Sequence, residues 1–243
     1  MASTSESGHA KNSANFQDLI EFVTGYEAMY NPSKSSLQLA NLIQLKADAD
    51  GKLADVVTKN TNYNKKVNER VIAFSDIKSL GTRLINALQT TDATPETIKN
   101  AKTFNTKLQG KKASSTQAQI DPNEPAPRTI STSQQSYDQL IQHLFGIKAV
   151  LETETSYTPN ETELKVEAIQ TKITELTAKN TAVATAYTNV SNSRIARNET
   201  LYATNTGLVE TALAVKKYIK SIFGATSPQY AQVKGIEFTK PKL

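Results

Sequence analysis

Apolar residues recur along most of this chain at alternating spacings of four and three, the period that gathers side chains onto one face of an α-helix. Phe16, Leu19, Ile20 and Val23 share such a face, as do Tyr137, Leu140, Ile141 and Leu144. These patterns predict amphipathic helices over about Asn15–Met29 and Gln134–Glu152. A turn bearing Pro32 or Pro159 follows each of them, and Ser33 or Asn160 can cap what comes next.

Two much longer seams follow. The first runs through Leu42, Ala49, Leu53, Val56, Tyr63 and Phe74 to Leu88, the second from Val166 through Ile173, Val183, Leu201 and Val215 to Ile222. No proline interrupts either stretch. Gly51, Gly81 and Gly207 weaken a helix without ending it. Continuous helices would each run roughly 80 Å at the α-helical rise. The competing reading breaks the first near Asn60-Thr61-Asn62 into a hairpin. A heptad-like seam of this kind suits helices packed nearly parallel or antiparallel. The fold class expected is all-α: an elongated, antiparallel, four-helix-like bundle with two very long coiled-coil-type helices.

Four short matches occur in the same order in the two halves of the chain, which points to an internal duplication. Phe16 to Gly25 parallels Tyr137 to Gly146, and Tyr30-Asn31-Pro32 parallels Tyr157-Thr158-Pro159 after a short insertion in the second copy. Asn68 to Val71 parallels Asn192 to Ile195, and Thr94-Pro95 through Phe104 parallels Ser227-Pro228 through Phe238. Each copy ends in a Pro-started segment: Pro95–Leu108, helical, and Pro228–Phe238, whose Ile236-Glu237-Phe238 can be extended. The boundaries expected are a disordered start over 1–14, a first repeat over 15–111, a linker over 112–136 and a second repeat over 137–243. The linker holds Pro122, Pro125 and Pro127 among Ser, Thr and Gln and loses all apolar periodicity.

Composition narrows the function classes. Hydrophobic residues make up 38% of the 243 positions and Trp is absent, which suits narrow helical stripes better than a large spherical core. The chain has no Cys, so disulfides, thiolate nucleophiles and Cys-bound zinc are excluded. The polar start lacks the basic and apolar regions of a secretory signal, and no apolar run approaches a membrane span. The default compartment is the cytoplasm, with leaderless export left compatible. A net charge of +5 permits weak attraction to nucleic acid or anionic lipid.

Candidate chemistry is sparse. His9 and His143 are the two histidines, one in the presumed disordered start and one flanking a packed face. Asp48, Asp50, Gly51 and Asp55 have part of a calcium-loop pattern but lack its closing Glu and lie within a helical seam. No catalytic, cofactor-binding or metal-binding residue is assigned. Two groups merit attention. Asn60, Arg70, Asn180, Arg194 and Arg197 fall on the seams, where buried polar side chains can fix register. Lys216, Lys217, Tyr218, Lys220, Tyr230 and Lys234 mix basic and aromatic side chains, the composition of a nucleic-acid surface and also that of an ordinary helix end.

The function these features favour is that of a non-enzymatic structural or protein-interaction bundle, with a protein partner or self-association. Two alternatives stand beside it: a membrane-active, pore-forming-like helical protein making peripheral contact with lipid, and weak nucleic-acid binding through the basic repeat ends.

Overall fold

The computed structural model describes residues 7–110 and 135–240. Every regular element among them is helical: α1 (Ser7–Gly25), α2 (Leu39–Ala73), α3 (Ile77–Gln89), α4 (Pro95–Gln109), α5 (Tyr137–Thr153), α6 (Val166–Tyr202), α7 (Leu208–Phe223) and α8 (Pro228–Lys234). Short 3₁₀ turns at Ser35–Leu37 and Thr162–Leu164 precede α2 and α6, so the helices begin later than caps at Ser33 or Asn160 would have them begin.

Local chemistry accounts for several boundaries. Thr94, Ser136 and Ser227 accept hydrogen bonds from the backbone N–H groups of Thr97, Gln139 and Tyr230, at 3.2, 3.3 and 3.1 Å, satisfying donors that the first turn leaves unpaired. Pro95 and Pro228 open α4 and α8, where a missing N–H costs nothing. Gly110 closes α4 in the left-handed conformation, φ 75°.

The long helices are shorter than their seams. α2 has 35 residues and α6 has 37, or roughly 50–55 Å each. α2 passes unbroken through residues 60–62, so the hairpin reading is excluded. The breaks fall later. After α2, the Ser75 hydroxyl donates to the Ile72 carbonyl at 2.7 Å, a local bond that competes with the helical ladder. After α6, Asn205 takes a left-handed φ of 68°. Gly207 then stands where a Cβ would come within 2.5 Å of the Ala203 backbone nitrogen. Gly207 is therefore the N-cap of α7 rather than a weak point inside a continuous helix. The seam survives both interruptions: Phe74, Ile77, Leu84 and Leu88 are buried across the first, Leu201, Leu208 and Val215 across the second.

The chain start differs from expectation too. Residues 7–14 are helical, and His9, Asn12 and Ser13 are buried; the expected disorder over 1–14 does not extend to them. Most of the expected linker lies outside the described residues, but Gln135 and Ser136 within it are placed.

The chain divides into two compact units. The first combines residues up to Tyr63 with those from Ala186 onward, the second comprises Asn64–Thr185. In the first unit, α1 packs on α7 and α8, and α7 packs on the turn at Ser35–Leu37. Its core includes Phe16, Leu19, Leu42, Leu201, Leu208 and Val215, all without solvent exposure. In the second unit, α5 packs on α3 and α4, and α3 packs on the turn at Thr162–Leu164. Leu84, Leu88, Leu108, Leu144, Ile169 and Leu176 are fully buried there.

Candidate functional site

The polar seam positions separate into distinct surroundings. In the second unit the Arg70 guanidinium donates through Nη1 to Asn180 Oδ1 at 2.8 Å and lies 4.0 Å from the centre of the Tyr137 ring. Asn180 donates in turn to Asp138 at 2.7 Å. Beside them Glu69 accepts from Lys66 and Lys179 at 3.1 and 3.0 Å. The hydrogen bonds from Lys179 and then Lys66 hold its carboxyl below the ordinary range. Arg70 and Asn180 are thus joined as a cross-helix pair. The helical period brought them to the seam; of the two residues that complete the cluster, Tyr137 was legible only as part of the apolar face of α5, and Asp138 only as an acid in a first turn.

The other three members lie in the first unit. Arg197 is only 4% exposed, and its Nε and Nη2 donate to Asn198 Oδ1 at 3.1 and 2.8 Å. Arg194 is half-buried, with a buried Nε that has no hydrogen-bond acceptor. Asn60 is half-buried on α2. The five residues do not form one layer. Tyr187, a seam position, is 60% exposed, with its ring 5.9 Å from that of Tyr63.

The basic and aromatic group near the chain end is partly consumed by packing. Lys216 donates to the carbonyls of Lys234 and Ile236, each at 2.9 Å, and burial lowers its pKa. The Tyr218 ring meets Tyr30 edge-on at 5.3 Å. Lys220 Nζ sits 5.7 Å from the Tyr230 ring. Lys217, Lys220 and Lys234 are exposed.

The histidines and the acidic run have structural surroundings. His9 Nδ1 lies 2.6 Å from the Tyr202 hydroxyl inside the first unit, and His143 is buried on α5. Asp50 accepts from Ser13 at 2.6 Å and from Lys46 at 2.5 Å. Burial pulls its carboxyl upward, and those two hydrogen bonds with the Lys46 charge outweigh it, leaving the pKa lowered. Among the described residues no three His, Cys, Asp or Glu side chains group to hold a metal.

Two concavities lie in the second unit. One, of about 370 Å³, is lined by Asp76, Ser79, Leu80, Arg83, Glu163 and Lys172. Its charges are paired, Arg83 with Glu163 and Lys172 with Asp76. The other is an open apolar groove of about 550 Å³ between α4 and α5, lined by Phe104, Gln142, Phe145, Gly146, Ala149 and Val150. No charged side chain lines it. Phe145 is 52% exposed. Gly146 allows the close approach: a Cβ there would collide with the Phe104 ring. The sequence pattern missed this groove because Phe145 falls off the apolar face of α5.

No family model matches the chain, and neither does any curated protein or solved structure. Helix content is established by the coordinates; no helix among the described residues is long and apolar enough to cross a membrane.

Proposed function

We propose that this chain is a non-enzymatic helical protein built from a duplicated unit, whose role is to bind a protein partner or a second copy of itself. The apolar groove beside Phe145 is the observation that carries this reading. A large aromatic ring half exposed beside an uncharged concavity is what a protein-binding surface offers.

Several repeated details favour the duplication. The Tyr30 hydroxyl donates to the Leu37 carbonyl at 2.7 Å, and the Tyr157 hydroxyl to the Leu164 carbonyl at 2.8 Å, with the same separation of 7 residues. Each bond ties a turn to the 3₁₀ segment ahead of a long helix. His9 lies against Tyr202 in one unit as Tyr137 lies against Phe74 in the other. When buried positions are aligned, Asn12, Phe16, Leu19, Ile20 and Val23 pair with Leu140, Leu144, Ile147, Lys148 and Leu151. That register is one heptad beyond the motif match, and it replaces the insertion the motif match required with a deletion of a single residue.

An antiparallel pairing of α2 and α6 in the second unit is supported by the order of their contacts. Glu69 and Arg70 of α2 meet the neighbouring Lys179 and Asn180 of α6, and Asp76, just beyond the end of α2, meets Lys172, so the chain leaving α2 runs towards the start of α6. The Arg70–Asn180 bond then fixes register.

Light scattering during size-exclusion chromatography, combined with affinity capture, tests the reading. Phe145→Glu should alter stability by less than about 0.5 kcal/mol, as an exposed substitution does, while abolishing self-association or partner capture. A chain that is monomeric at every concentration and captures the same proteins with or without Phe145→Glu contradicts it.

A further inference from the structure

We infer that residues 7–110 and 135–240 are two half-chains that fold on each other, so that either half finds its complement in the other half of its own chain or of a second copy. This goes beyond the binding role above and does not depend on it. It rests on how the two compact units are composed.

Neither unit belongs to one half. The first takes α1 and the start of α2 from the first half, and the end of α6 with α7 and α8 from the second. The second unit takes the end of α2 with α3 and α4 from the first half, and α5 with the start of α6 from the second. Each core is divided accordingly. Phe16, Leu19 and Leu42 meet Leu201, Leu208 and Val215 in one. Leu84, Leu88 and Leu108 meet Leu144, Ile169 and Leu176 in the other. A half taken alone would keep α3 against α4, or α7 against α8, but would expose the faces that the other half covers in both cores, at about 1.5–3 kcal/mol for each large side chain so uncovered.

Polar contacts within each unit join the same halves. In the first unit Asn12, 2% exposed, donates to the Thr239 carbonyl at 2.7 Å and accepts from the Thr239 N–H at 3.0 Å. Asn15 donates to the Glu237 carbonyl at 2.7 Å, and the Tyr26 hydroxyl to that of Gln229 at 2.9 Å. Asn12 and Asn15 of α1 thereby bind the backbone of the segment that follows α8, and Tyr26, just past α1, binds the backbone of α8 itself. In the second unit the links are Arg70 with Asn180, Glu69 with Lys179, Asp76 with Lys172, and Arg83 with Glu163.

The described residues on either side of the connection lie together. Gln135 Nε2 donates to the Lys107 carbonyl at 2.7 Å, so the two described ends of the connection already touch. Joining neighbouring points through residues 111–134 raises the local concentration of one half around the other.

The experiment uses the full chain with a protease site placed within residues 111–134. After cutting, the two halves should co-elute at the uncut mass with unchanged helicity by circular dichroism. The denaturation midpoint should become dependent on protein concentration, because unfolding is now also dissociation; that of the uncut chain should not. As a second arm, halves expressed separately should each lack stable helix and regain it when mixed one to one. The inference is overturned if the cut halves elute separately with each retaining cooperative unfolding, or if cutting alone unfolds the protein. It is overturned equally if separately made halves fold unaided. None of these results depends on Phe145 or on a partner, so failure here is distinguishable from failure of the binding role.

Discussion

Tyr30 and Tyr157 each spend a buried hydroxyl on one carbonyl, and burial raises the pKa of both. For Tyr157, burial and then the Glu161 charge push it up to about 12. An unfolded tyrosine titrates near about 10. The folded value lies above the unfolded one, so the fold favours the neutral phenol. That contribution is complete below about pH 10 and is lost as pH rises towards 12. Tyr157→Phe should cost roughly 1–2 kcal/mol at neutral pH and weaken the loss of stability between pH 10 and 12, as read by urea titrations across that range. Glycines offer a second contrast. Gly146→Ala would drive a Cβ into the Phe104 ring and should cost roughly 1–3 kcal/mol. Gly51→Ala faces open space within α2 and should stabilise by about 0.5–1 kcal/mol. Paired thermal melts at one scan rate would check both signs. The helical period could not distinguish these glycines, since it reports which face a residue occupies and nothing about which neighbour approaches it.

The elements were legible where periodicity is strong. The apolar faces of α1 and α5 and the proline-started α4 follow from the sequence. The ends of α2 and α6 do not, for a physical reason. Seam residues on both sides of Ser75 and of Asn205 remain buried, so a local turn leaves no gap in the apolar pattern. The missing information lies in backbone conformation: the Ser75 hydroxyl on the Ile72 carbonyl, and the left-handed Asn205 before Gly207. Asn205→Gly should therefore be neutral or mildly stabilising, and Asn205→Val should cost about 1–2 kcal/mol because a branched side chain resists positive φ. Denaturant midpoints of the two variants, compared with the native chain, check the order. The polar cluster was half legible. Arg70 and Asn180 stood out as polar residues on an apolar seam, whereas the part played by Tyr137 and Asp138 depends on where α5 begins.

Across the molecule, the property that sequence order concealed is the division of each core between the two halves. Self-similarity along the chain suggests two repeats that pack together as one bundle, their long seams covering each other, and it does not say which helices of one half meet which of the other. In each of the two compact units the first helix of one half packs against the last helices of the other: α1 on α7 and α8, and α5 on α3 and α4. The absence of native cysteine makes this directly measurable in the intact protein. Cysteines introduced at Asn15 and Glu237, and in a second variant at Glu69 and Lys179, can be joined by a short bis-maleimide and located by mass spectrometry. The account predicts a cross-link within a single chain or an exchanged pair of chains in both variants, each bridging the first half to the second. Failure of both pairs to cross-link, in protein that retains its helicity, would contradict it.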